Sequence, residues 1–416
     1  MRYFIDNFRG LQKQIIDLKN VNFLVGENST GKSSLIKAIA LLSNFSFWLN
    51  GELSSEEFEL GTFDDILSAN STRDFFSLGL IYDKQESFNI FSYINDEGMP
   101  KIYRQALYSN NALLVIYSMP KNITFRFIDK CPYSFFEVNE ILDYIDSQKF
   151  KKIANTPIKE SMIRNMPFYF CFRYLLSENE KIKNVFKDAT ILDGPSSIPC
   201  MYIAPIRAKP QAIYAGTKVS FTAEGSHTPF IIKGAIKKRR KEIEVLREFG
   251  RNSGLFDDVE TPGFGKKDVS PFELVIRKGK NRYRISSVGY GVSQILPIIV
   301  DILFSDIPIL LIQQPEVHLH PKAQAAFGEF LYNICKKNSK RKFIIETHSD
   351  YIIDRFRYCQ SREETKISSQ VFFTYNDSMH NLIKVIPIGN DGKYKEDNIA
   401  DYRSFFVDEA IKMMEI

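Results

Sequence analysis

Gly26-Glu27-Asn28-Ser29-Thr30-Gly31-Lys32-Ser33 is the stretch on which the reading of this chain turns. It follows the pattern G-x-x-x-x-G-K-[ST], and its flanks are those the pattern needs. Before it runs Val21-Asn22-Phe23-Leu24-Val25, a nearly continuous apolar run of the kind buried on both faces of a sheet. After it Leu35, Ile36, Ile39 and Leu42 recur at helical spacing among good helix formers. Strand, glycine loop and helix are expected in that order. Glycines let a backbone wrap a phosphate with its N–H groups inward, and a helix starting near Lys32 turns its positive end to the same anion. The expected ligands are ATP and Mg²⁺, with Gly26, Asn28, Ser29, Thr30, Gly31, Lys32, Ser33 and Ser34 as binding residues. Lys32 would neutralise the β- and γ-phosphates, and the Ser33 hydroxyl would ligate the metal.

A second stretch, Ile309-Leu310-Leu311-Ile312-Gln313-Gln314-Pro315-Glu316-Val317-His318-Leu319-His320-Pro321, is an apolar strand with a polar end. That is where P-loop proteins place the Walker B carboxylate on Mg²⁺ and, in some, a general base for the attacking water. Here both positions are glutamine. An amide can hydrogen-bond a water, but it neither takes its proton nor neutralises a cation, so metal affinity and turnover should suffer. Gln313, Gln314 and Glu316 are the catalytic candidates, with Gln313 at the metal position and Glu316 the acid within the stretch. His318 and His320 alternate as H-x-H ligands can, but no acid or cysteine partners them, so a place in the strand-to-helix turn, near a subunit interface, is favoured.

Phe343-Ile344-Ile345-Glu346-Thr347-His348-Ser349-Asp350 is another buried strand with a histidine at its polar end. Coming one strand after the Walker B-like segment, His348 is expected to sense the γ-phosphate. In Ser286-Ser287-Val288-Gly289-Tyr290-Gly291-Val292-Ser293-Gln294 a small-residue turn leads into a helix. Ser287, Gly289 and Gly291 could hold a phosphate, including one bound to another subunit, although a plain capping turn has the same pattern.

Elsewhere, β-like runs over 75–130 separated by turn residues read as an antiparallel meander. Residues 135–198 turn helical, with Lys-rich pieces such as Lys149-Phe150-Lys151-Lys152. A strand returns at Met201, one helix carries Lys237-Lys238-Arg239-Arg240-Lys241 toward Phe249, and 250–270 read as a mobile loop. A hairpin is expected around Lys278-Gly279-Lys280-Asn281, and the last third alternates buried strands and helices as a parallel sheet does. The expected divisions are 1–130 (P-loop lobe and meander), 131–200 (helical insertion), 201–284 (basic helix, loop and hairpin) and 285–416 (second lobe).

The chain has 416 residues, 44% apolar and 25% charged, which suits a globular fold and excludes disorder as its main state. The sequence shows no apolar run of the ~18–20 residues that span a bilayer and no apolar leader, so a cytoplasmic protein without membrane contact is expected. Five scattered cysteines form no C-x-x-C pair, favouring a reducing compartment. A net charge of +5, from 55 Lys and Arg against 50 Asp and Glu, is too small an excess to require a nucleic-acid partner.

Taken in order, these motifs resemble the ATP-binding-cassette-type heads shared by SMC-like repair ATPases and the overcoming-lysogenization-defect (OLD) family, closest to its bacterial AAA-family ATPases. Leu60-Gly61-Thr62-Phe63-Asp64-Asp65 is similar to that group's L-G-S-F-x-D segment, and Tyr202-Ile203-Ala204-Pro205-Ile206-Arg207-Ala208-Lys209-Pro210 to its P-x-R-A-x-P segment. The resemblance implies an α/β P-loop NTPase of ABC/SMC head type, a mixed sheet with an antiparallel β lobe and an inserted helical lobe. It implies a homodimer or larger homo-oligomer with ATP sandwiched between one P-loop and the partner's Ser287–Gln294 segment, and His348 as switch histidine. Gln314 agrees with the group's E-Q-P-E-x-H-L-H-P string, whereas Gln313 stands where an acid is expected. A natural loss of hydrolysis competes with a Glu→Gln change introduced to trap the ATP-bound state, and the intact remaining motifs favour the second.

Relatives of this group serve in anti-phage systems, including Septu-like and PARIS-like ones, beside a separately encoded nuclease or toxin. The resemblance therefore implies an ATPase that controls such an effector in response to a DNA or phage-protein trigger. The alternative is an SMC- or RecF-like repair ATPase that clamps DNA, with Lys237 to Lys241, Lys266-Lys267 and the hairpin's Arg277, Lys278, Lys280, Arg282 and Arg284 on phosphates. Against this, Glu242, Glu244 and Glu248 dilute the charge. A transporter cassette is disfavoured, because the helical insertion and this Walker B string have no place in one.

Overall fold

The apolar run before the glycine loop forms the strand Val21–Gly26, every residue of which is buried. The computed structural model describes residues 1–55, 57–118, 123–147, 168–187, 198–216, 219–265, 269–377, 380–395, 402 and 404–406. The chain divides into two compact units built from interleaved stretches: Met1–Leu18, Ser29–Pro199 and Tyr375–Leu382 in one, Lys19–Asn28, Cys200–Thr374 and Ile383–Ile416 in the other.

The second unit is built on a six-stranded sheet. Its order is Asn381–Ile388, Ser369–Asn376, Val21–Gly26, Lys342–Glu346, Ile309–Gln313, Cys200–Ile203. Val21–Gly26 runs parallel to both its neighbours, and the pairing continues parallel out to Cys200–Ile203. Parallel strands need helical crossovers, which cover both faces, and this accounts for strands built on nearly continuous apolar runs rather than on alternation. The helices Tyr290–Phe304, Pro321–Lys337 and Asp350–Arg362 supply that cover. Phe356, for example, meets Phe23 edge-on at 5.5 Å and Tyr332 at 5.7 Å.

The first unit is an antiparallel seven-stranded sheet in the order Gln14–Asp17, Arg2–Asp6, Phe75–Tyr82, Ser87–Asp96, Met99–Ser109, Ala112–Ser118, Ile123–Ile128. The meander expected from the turn residues is therefore present. Trp48 is core packing: it is buried, stands edge-on to Phe47, and its indole N–H donates to Leu42 O at 2.8 Å. The helix Lys32–Leu42 belongs to this unit and buries Leu35, Ile36, Ile39 and Leu42, as its spacing predicts. Of the helical insertion, Val138–Ser147, Phe168–Glu178 and Glu180–Phe186 are described. Lys149 to Lys152 lie outside the described residues, as do Lys266 and Lys267.

Two local expectations are corrected. The basic helix is two helices, Thr228–Lys238 and Arg240–Ser253, broken at Arg239, whose backbone (φ −121°, ψ 57°) is not helical. Nor is the stretch from 250 to 260 a loop. Helix runs to Ser253, Gly254 ends it in a left-handed cap, and Asp258–Glu260 pairs with Val275–Lys278, which pairs in turn with Asn281–Arg284. Within that helix Gly250 makes room for a buried aromatic, since a Cβ there would lie 2.3 Å from the Phe256 ring.

Candidate functional site

Three of the loop's residues hold positive-φ backbone angles that side chains rarely adopt. Gly26 sits at φ +150°, and a Cβ there would lie 2.1 Å from Thr374 O on the neighbouring strand. Ser29 follows at φ 64°, and Gly31 at φ 90° is the N-cap of Lys32–Leu42. This cap contributes no side-chain hydrogen bond, and no acid stands in the first helical turn. A helix start without an acid or a capping side chain keeps its positive end for an anion. Thr30 and Lys32 are buried, while Asn28, Ser29 and Ser33 are exposed and Ser34 is half-buried.

In the second unit the parallel register gathers the polar strand ends. Gln313 lies opposite Glu346, and Glu346 in turn opposite Leu24 of the loop-bearing strand. Gln313 is buried with both ends of its amide engaged. Tyr202 Oη donates to Gln313 Oε1 at 2.5 Å, and Gln313 Nε2 donates to Glu346 Oε2. Gln314 holds the left-handed backbone at φ 44°, unusual for a residue with a Cβ. Its N–H donates to Glu346 O at 2.8 Å.

Arg207 closes round the same turn. The side chain is buried and donates to Gln313 O at 2.8 Å, Gln314 O at 3.2 Å and Pro205 O at 2.6 Å. Burial lowers its pKa to about 10, with Glu316 and Tyr202 opposing the shift, so the guanidinium stays charged at neutral pH. Glu316 is occupied by the next strand's end: Oε2 accepts from Thr347 Oγ1 at 2.8 Å and Oε1 from His348 N at 2.7 Å. The His348 side chain projects from that fixed backbone and is exposed.

Ser287, Gly289 and Gly291 are not among these strand ends. Gly289 caps the helix Tyr290–Phe304 without a side-chain hydrogen bond, and with Ser287, Gly291 and Lys278 it borders an open cavity of about 410 Å³. His318 and His320 line the same cavity. A Cβ on Gly291 would meet His318 O at 2.8 Å, which explains the glycine. His320 is a helix cap, its Nδ1 accepting from Ala323 N at 3.3 Å, and His318 lies in the turn at φ 62°. Among the described residues no group of three or more His, Cys, Asp or Glu could hold a metal ion, and no helix is long and apolar enough to cross a membrane.

Sequence reasoning assigned no role to Glu346, Tyr202 or Arg207. The signal for Glu346 was present, an acid directly after the apolar run Phe343-Ile344-Ile345 and two residues before His348. Tyr202 and Arg207 lie in the segment similar to P-x-R-A-x-P, but the local sequence does not reveal their contacts with Gln313 and Gln314, which are more than a hundred residues away.

Comparison with known proteins adds two family profiles. Residues 4–211 match the profile described as "AAA ATPase domain", and residues 214–354 match that described as "AAA domain, putative AbiEii toxin, Type IV TA system". No curated protein matches. Similar solved structures include an SMC head bound to the C-winged helix domain of ScpA (11% identity over 93% of this chain and 97% of that one, TM-score 0.42). They also include an SMC head with an extended coiled coil bound to the ScpA C-terminal domain derived from Pyrococcus furiosus (10%, 100% and 98%, TM-score 0.42). A third is the SMC head from Thermotoga maritima (10%, 93% and 98%, TM-score 0.36). These likenesses are loose in sequence and in superposition.

Proposed function

We infer that this chain, which belongs to the AAA ATPase domain family, binds ATP at the loop Gly26–Ser33 and uses it to switch between assembly states. Nucleotide binding comes with the family. The observation that carries the reading is the loop's backbone: left-handed Ser29 and Gly31 ahead of a helix start with no acid and no side-chain cap. The glycines fit a nucleotide, because at Gly26 and Gly31 the backbone takes angles that side chains resist.

In this reading Lys32 meets the β- and γ-phosphates and the Ser33 hydroxyl holds Mg²⁺, which when bound would neutralise charge on the phosphate oxygens. His348 reads the γ-phosphate from a backbone that Glu316 fixes. Gln314, held in its left-handed turn by Arg207, orients the attacking water but cannot take its proton, so turnover is slow. The Ser287, Gly289 and Gly291 edge of the 410 Å³ cavity receives the phosphates of a nucleotide held by a second copy.

The biological role proposed is that of an ATPase subunit of an anti-phage complex, whose assembly restrains or releases a separately encoded nuclease or toxin. The DNA-clamp alternative is weakened by the hairpin. Arg277 pairs with Asp258 at 3.2 Å, Arg282 with Glu260 and Arg284 with Glu273 at 2.6 Å, so these cations are already answered.

Calorimetry with ATP, together with light-scattering mass with and without nucleotide, tests the reading. The chain should bind ATP and gain mass on binding, and Lys32→Ala should weaken affinity by about thirtyfold, the worth of a charge-assisted phosphate contact. Equal affinity in Lys32→Ala, or an unchanged mass, contradicts it.

A further inference from the structure

The position at which a P-loop protein carries its metal-binding acid, and the one after it, are both amides here, yet a buried carboxylate stands beside the first of them. Glu346 ends the strand between Ile309–Gln313 and Val21–Gly26, level with Gln313 on one side and with Leu24 on the other. Chain connectivity then puts Gly26, where the phosphate loop starts, two residues beyond Leu24.

We propose that Glu346, and neither glutamine, is the carboxylate that holds the divalent cation of the bound nucleotide, with Gln313 as the residue that positions it. The proposal rests on the nucleotide reading given above. An amide oxygen is a neutral ligand, while Mg²⁺ in nucleotide sites keeps several waters and takes one or two carboxylates besides the phosphates. One carboxylate is therefore enough, and Glu346 supplies it within hydrogen-bond contact of the expected position.

The direction of the Gln313 amide supports the assignment. Tyr202 Oη donates to its carbonyl, which leaves the NH₂ for Glu346 Oε2 and fixes the rotamer of the carboxylate. Charge supports it too. The pair Gln313 and Glu346 carries one negative charge in a buried place, whereas Glu at 313 would press two carboxylates together. The arrangement accordingly uses glutamine at 313 as its working residue. This reverses the expectation that the amide is a trap put in place of an acid.

The experiment uses the full chain. ATP affinity is measured by calorimetry in Mg²⁺ and in EDTA for wild type, Glu346→Gln and Glu346→Asp, with thermal melts to check folding. Mn²⁺ with ATP is then examined by electron–nuclear double resonance in wild-type protein labelled with ¹³C-carboxylate glutamate. The cation should tighten ATP binding to wild type, and Glu346→Gln should lose that gain by about 10–100-fold while keeping its affinity in EDTA. Glu346→Asp should retain part of the gain, and labelled wild type should show a ¹³C coupling from a ligating carboxylate. A wild type that binds no ATP in either buffer removes the nucleotide reading and this inference with it. Should wild type bind and Glu346→Gln keep its full Mg²⁺ gain, the inference alone is overturned. If Glu346→Gln does not fold, the ¹³C coupling decides, and its absence overturns the assignment.

Discussion

The glycine loop Gly26–Ser33 and the Gln313 strand end are both built at the mouths of buried parallel strands, but from different materials. The loop is made of backbone. Its requirements are glycines, left-handed angles and a helix start, and each is met by residues adjacent in sequence, from Gly26 through Lys32. The Gln313 end is made of side chains that arrive from Tyr202, Arg207, Glu316 and Glu346, on three different strands or the turns after them. A site made of backbone tolerates almost no change at its glycines. A site made of converging side chains can exchange one acid's position for another's, provided the charge and the donors still balance.

The sharpest way to break the comparison is at Gly26. An alanine there would have to hold φ +150° with its Cβ against Thr374 O, where the glycine leaves only 2.1 Å. Strain and overlap together should cost about 4 kcal/mol or more, read as a lower denaturant midpoint. An unchanged midpoint would mean that the loop is not limited by its backbone, and the contrast would fail on its firmer side.

Gln313→Glu tests the other side. Read from the sequence alone, this change restores a Walker B acid and should raise turnover. The assignment proposed for Glu346 leads to the opposite expectation, because a carboxylate at 313 could not donate to Glu346 as the amide does and would stand against a second buried carboxylate. Destabilisation of about 3 kcal/mol is expected, with no gain in ATP turnover. A variant as stable as wild type that hydrolyses ATP faster would restore the sequence reading and make the native glutamine a block.

The contrast also explains how much was legible beforehand. Val21–Gly26, Lys32–Leu42 and the parallel strands of the last third follow from apolar runs, helical spacing and the loop between them, all local signals. The family-like segment at Leu60–Asp65 was legible as a pattern but not as a role. It turns out to be a capped turn, with Asp65 Oδ2 accepting from Thr62 N and Thr62 Oγ1 at 2.8 Å. What could not be read was register. Whether Glu346 faces Gln313 depends on how two strands slide past one another, and a shift of one residue would turn the side chain to the other face of the sheet. The loop expected from 250 onward failed for a related reason, since the strand Asp258–Glu260 is set by its pairing with Val275–Lys278 rather than by local turn propensity.

The hairpin at 275–284 is the reverse case, in which the sequence counts more function than the fold leaves. Its arginines read as a basic patch, but Arg282 pairs with Glu260 and Arg284 with Glu273, side chains that the sheet and its flanking turn bring alongside. Both arginines are more than half exposed, so each pair should contribute only about 0.5 kcal/mol to stability. Their positive charge, however, is compensated locally and offers little to a phosphate backbone. Replacing both with alanine should therefore leave the melting temperature nearly unchanged. Any DNA affinity should fall with salt along the same slope as in wild type, because removing a cation that does neutralise a phosphate would reduce that slope by about one. A slope shallower by about two would show that the pairs open to grip DNA, and would return weight to the clamp.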